Sequence, residues 1–132
     1  MKVLALDYGS ARTGVAVSDP TGTVARPVGV VERAGDEAGL SRIAELVGEL
    51  EAERVVVGLP LTMRGEHGEQ ALETAEFVNS LRETLDVPVE SFDERFTTDL
   101  AEQSGDTAQA TDAVAAAHLL SSYLTWSSSK SH

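Results

Sequence analysis

The sequence predicts an α/β fold, a mixed five-stranded sheet with helices on its faces. Three observations carry this. Val3-Leu4-Ala5-Leu6 and Val55-Val56-Val57 are apolar at every position, as strands buried on both faces are. The first run is followed across short turns by two more strand-like segments, an antiparallel meander. Strand-like and helix-like segments then alternate to the end of the chain, as parallel crossovers require.

Strand one is read over Lys2 to Asp7. It turns through Tyr8-Gly9-Ser10-Ala11-Arg12 into strand two, about Thr13 to Ser18. Asp19-Pro20-Thr21-Gly22 is a turn signal before strand three, Val24 to Glu32, and Pro27 inside that strand predicts an edge position. Asp36 can cap a helix reaching about Glu51, with Leu40, Ile43, Val47 and Leu50 on one face. The fully apolar Arg54-to-Gly58 strand should lie beside strand one. A loop, Leu59 to Gly68, leads to a second helix, Glu69 to Leu85, placing Ala71, Ala75, Val78, Leu81 and Leu85 inward. A short strand, Val87 to Phe92, ends in Asp93-Glu94-Arg95. A short helix is expected from Thr97 or Thr98, and a last helix from Asp106 or Thr111 to Trp126.

The 132 residues suffice for one core and not for two substantial lobes. Residues 1–126 are expected to form a single domain and the serine-rich tail, 127–132, to be disordered. No apolar stretch approaches the ~20 residues of a membrane span, and Asp7 interrupts the run behind Met1-Lys2, so no signal peptide is expected. The absence of cysteine excludes disulfides and thiolate metal sites. A cytoplasmic protein that does not bind membranes follows. The net charge of -12 argues against a broad nucleic-acid-binding face but leaves room for a local one. Eight of the ten basic residues are arginine, the better bidentate phosphate ligand.

Asp7 sits at the exit of a buried strand, where a charge needs a cation or donors. Asp112 begins a helical stripe continued by Ala115, Ala116, Leu119, Leu120 and Tyr123, so it lies on the buried face of the last helix. The small alanines let that helix approach the sheet closely. Glu94 lies just beyond a strand, where ligands bind in open α/β sheets. Adjacent residues in an extended segment face opposite ways, so Glu94 is chosen and Asp93 is the fallback. Three carboxylates form an oxygen-only site suited to Mg²⁺ or Mn²⁺. Two such ions about 4 Å apart support phosphodiester hydrolysis. Activity should then need a divalent metal and fall at acid pH. Plainer roles stand beside these: Asp7 capping the hairpin turn, Glu94 pairing with Arg95 or another arginine, Asp112 as a helix N-cap.

ALDYGSARTGVAVSD, VVVGLPLTMRGEHG, FDERFTT and TDAVAAAHLLSSYL resemble, in that order, the motifs of the YqgF family, also called RuvX, of Holliday junction resolvases. The resemblance covers nearly the whole chain. It implies a ribonuclease H-like fold and metal-dependent nuclease chemistry. It also implies one of two roles: resolving branched DNA, or maturing the 5′ end of pre-16S rRNA. The family's acids fall on Asp7, Glu94 and Asp112. Relatives usually carry a longer, basic segment before the last acid. Here Gln103 to Thr111 is short and has Asp106 as its only charge. Junction-resolving relatives with four acids have an acid or histidine where this chain has Gln109, so three acids are expected.

Arg12, Arg64 and Arg95 are the candidate phosphate ligands, against the plainer reading of solvated surface arginines. Gly65 and Gly68 either admit a phosphate or simply turn the loop. His67 either assists proton transfer or has no role. Tyr8 either stacks on a base or closes the core. Symmetric junction cleavage needs two sites and hence a homodimer, though no stretch reads as an interface. A catalytically weak binding module in ribosome assembly is the alternative function, favoured by the acidity. A phosphotransferase of the actin and sugar-kinase type shares only the Asp-x-Gly turn, and it needs a second lobe.

Overall fold

The computed structural model describes residues 1–59, 68–93 and 108–130. Its elements are β1 (Val3–Asp7), β2 (Arg12–Ser18), β3 (Ala25–Glu32), α1 (Glu37–Glu49), β4 (Arg54–Leu59), α2 (Glu69–Thr84), β5 (Val89–Asp93) and α3 (Ala108–Lys130). The strands form one five-stranded sheet in the order β3-β2-β1-β4-β5. β1–β2 and β2–β3 pair antiparallel, β1–β4 and β4–β5 parallel. The mixed sheet, the meander and the central position of the two apolar strands are as the sequence predicts.

Alternation along the strands divides the core in two. Leu4, Leu6, Val15, Val17, Val55 and Val57 pack with Ile43 and Leu46 of α1 and with Phe77, Val78 and Leu81 of α2. Val3, Ala5, Ala16, Val56 and Phe92 pack with Ala116, Leu119, Leu120 and Tyr123 of α3. Helices therefore cover both faces. The α3 side is built from smaller strand residues, so that helix lies closer to the sheet.

β3 is an edge strand, consistent with Pro27. The ladder places Ala16 opposite Pro27 and Val15 opposite Gly29, so Val28 is the extra residue of a bulge. Asp36 occupies the N-cap position of α1, but its side chain makes no capping hydrogen bond. Its backbone carbonyl accepts from the Leu40 N–H at 2.8 Å. In α2 the inward face is centred on Phe77 and Thr74, with Ala75 and Leu85 only partly buried. Thr74 tolerates burial because its hydroxyl donates to the Gln70 carbonyl at 2.8 Å.

α3 runs on to Lys130, past Trp126 and into the serines expected to be disordered. Trp126 packs against Phe92 and Tyr123, with ring centroids 5.5 and 5.8 Å away, so the helix end is tied to β5. Serine in turn is only mildly unfavourable in a helix. The short helix expected near Thr97 lies outside the described residues.

Candidate functional site

The carboxyl ends of β1, β4 and β5, which run parallel, share one edge of the sheet. Asp7 closes β1 there and is half-buried. Val3 and Ala5 face α3, so Asp7, two residues further, falls on the same face. Its partner across the antiparallel ladder is Gly14 of β2. A methyl group placed on Gly14 would collide with the backbone carbonyl oxygen of Asp112. The α3 backbone thus crosses β2 directly beside Asp7, and glycine is what allows it. Two acids far apart in sequence are brought to one end of one face.

Asp112 lies inside α3, a turn beyond its first residue, so it is not the N-cap. Its Oδ2 accepts from Arg12 Nε at 2.9 Å, and the two side chains remain 30% and 43% exposed. Arg12, expected on phosphate, is therefore engaged with the acid of the last helix. Asp93 alternates with Phe92, which faces α3, and so falls on the α2 side with Ser91. By the same alternation, Asp93 and Asp7 fall on opposite faces of the sheet. Glu94, Arg64, Arg95, Gly65 and His67 lie outside the described residues. Gly68 is the N-cap of α2.

Tyr8 turns to the other face. Its ring stacks on Phe77 with centroids 4.4 Å apart, and its hydroxyl donates to Glu73 Oε1 at 3.0 Å. Burial, then the Glu73 carboxylate, push its pKa up to about 12. Of its two readings, core closure is the one the structure bears out. Asp19, the acid just past β2, is absorbed by its turn. It accepts from the Thr23 and Val24 N–H groups at 2.7 and 2.9 Å and from the Thr21 hydroxyl. Those donors hold its pKa well below the usual carboxylate range. At the opposite end of the α3 face, Tyr123 donates to Glu90 at 2.8 Å and accepts from Arg54 at 3.0 Å, a closed structural network.

Sequence reasoning missed the pairing of Arg12 with Asp112 and the role of Gly14. A signal for the second was present: a glycine inside an apolar strand often marks a close backbone approach. Asp7 and Asp112 offer oxygen donors alone, a set that fits a hard divalent cation. Among the described residues no group of three metal-ligating side chains gathers.

The family model described as RuvX, Holliday junction resolvase, matches residues 1–126. The chain belongs to the RuvX family. Two similar RuvX relatives, provisionally named pre-16S rRNA nucleases, come from Chloroflexus aggregans and Syntrophomonas wolfei. The first is 50% identical over 101 residues, 76% of this chain and 71% of the relative. The second is 39% identical over 132 residues, 94% of each. Among solved structures, Thermus thermophilus RuvC in complex with a Holliday junction superposes with a TM-score of 0.62 at 19% identity, covering 96% of both chains. Fowlpox virus resolvase with Holliday junction DNA gives 0.53 at 10% identity, covering 96% of this chain and 98% of that one. At such identities the likeness shows the fold, and this RuvX chain has the ribonuclease H-like architecture of those resolvases. None of its described helices is long and apolar enough to cross a membrane.

Proposed function

We propose that the chain is a divalent-metal-dependent nuclease that hydrolyses phosphodiester bonds in structured nucleic acid. The observation that supports this reading is the passage of α3 across Gly14, where the Asp112 backbone meets the β2 residue paired with Asp7. Asp7 and Asp112, with Glu94 from beyond β5, are the residues that hold Mg²⁺ or Mn²⁺. When bound, a pair of such ions supplies an activated water and stabilises the leaving oxygen. Asp7 and Asp112 sit on a strand end and a docked helix, elements that limit the reorganisation of their backbones. Arg64 and Arg95 hold the phosphate backbone.

The substrate class follows from the relatives. Their names point to pre-16S rRNA, and the family description points to Holliday junctions, which are four-way DNA junctions. On a four-way junction the chain acts as a homodimer, since paired cuts need two sites. Either task places it in the cytoplasm. The test is cleavage of a branched DNA and of a pre-16S 5′ fragment, with Mg²⁺, with Mn²⁺ and with chelator. Asp7→Asn and Asp112→Asn are expected to abolish cleavage while leaving the circular dichroism spectrum unchanged. Wild-type cleavage that persists in chelator, or variants as active as wild type, would refute the reading.

A second reading, a catalytically weak binding module, is favoured by the charge of -12. It predicts metal-independent binding without cleavage, unaffected by changing the three acids.

A further inference from the structure

We propose that Arg12 is an exchange residue: it holds Asp112 until a divalent cation takes that carboxylate, and then holds a phosphate of the substrate. This rests on the metal-dependent nuclease reading above. Arg12 is the first residue of β2, and Gly14, two positions on, lies beneath the backbone of Asp112. The contact that brings Asp112 to Asp7 therefore also brings the guanidinium to Asp112. One nitrogen, Nε, meets one oxygen, Oδ2, at 2.9 Å.

A guanidinium and a divalent cation on the same carboxylate repel each other. The one that gains more donors keeps the site. A cation shared with Asp7 gains several oxygens, whereas Arg12 holds one. The pair is also partly exposed, with side chains 43% and 30% accessible. Water and salt screen such pairs, which makes this one weak enough to break. Arginine's long stem lets a displaced guanidinium stay at the rim of the site, where its planar fork suits a phosphate.

The exchange couples two binding events. Cation binding frees Arg12 for the nucleic acid, and by linkage bound nucleic acid tightens the hold on the cation. On a chain of net charge -12, this confines a phosphate-binding cation to the metal-loaded state. The expectation that Arg12 meets phosphate and its observed pairing with Asp112 are then two positions of one side chain.

The experiment is calorimetric titration of the full chain with Mn²⁺, as wild type, Arg12→Met and Arg12→Lys. Binding of a branched DNA and of a structured RNA is measured alongside, in Ca²⁺ and in chelator. Arg12→Met is expected to bind Mn²⁺ about 1.5-fold to fivefold more tightly, the range set by a partly exposed ion pair. Its nucleic-acid affinity should lose the part of the wild-type gain on adding Ca²⁺ that Arg12 supplies. Arg12→Lys keeps the competing charge and should bind Mn²⁺ as wild type does. Unchanged or weaker Mn²⁺ binding by Arg12→Met would overturn the exchange and make Arg12 a fixed support for Asp112. Tightening by Arg12→Lys equal to that of Arg12→Met would overturn it too, since charge would not be the competitor. If wild type binds Mn²⁺ and cleaves but the variants fail these tests, only the exchange falls. Wild type that binds no Mn²⁺ removes the exchange and the metal-dependent nuclease reading together.

Discussion

Gly14→Ala places a methyl group on the carbonyl oxygen of Asp112, so α3 must lift from β2 or bend in its second turn. Overpacking of this kind costs roughly 1–3 kcal/mol. Chemical denaturation should register that loss, and Mn²⁺ affinity should fall with it because Asp112 moves away from Asp7. A normal affinity in a destabilised variant would separate packing from the site. Tyr8 offers a second test, set by pH. Its folded pKa of about 12 lies above the ordinary 10.0, so the fold favours the protonated ring. That contribution is fully present below pH 10 and disappears as pH rises towards 12. Tyr8→Phe should lose this alkaline step in denaturation curves measured across that range.

At the scale of elements, the periodic segments were the legible ones. β1 and β4 declared their central place by being apolar throughout, and α3 declared its buried stripe from Ala116 to Tyr123. Less legible were contacts set by partners remote in sequence. Phe77 turns inward because Tyr8 stacks on it, and α3 persists to Lys130 because Trp126 meets Phe92 and Tyr123. No local pattern carries either fact. In the candidate site, the face on which Asp7 falls was readable from period-2 spacing. The salt bridge that joins Arg12 to Asp112 was not, because it depends on how two elements cross. Element ends give their own predictions. Glu51 follows α1 with φ 55°, a left-handed conformation costly for any residue with a Cβ. Glu51→Gly should stabilise the chain by roughly 1 kcal/mol in denaturation. Asp19, with its pKa held low by the β2–β3 turn, stabilises the fold above the ordinary carboxylate range. That contribution fades as pH falls through and below this range, and Asp19→Asn should flatten the acid limb of the stability profile.

For the whole molecule, the proposed metal site predicts that divalent ions stabilise the fold, on a chain of net charge -12. At ten times its dissociation constant a bound cation adds about 1.4 kcal/mol to the folding free energy. Scanning calorimetry should show a higher melting temperature in Mn²⁺ than in chelator, with the difference lost in Asp7→Asn. The arrangement of the sheet has a further consequence for when the chain can act. Asp7 lies at the end of β1 and Asp112 in α3, with β2 to β5 between them in the chain. On the proposed metal site, a polypeptide lacking α3 holds only one of these two acids and is expected not to cut. On that proposal, the packing of α3 across Gly14 is the folding step that completes the pair.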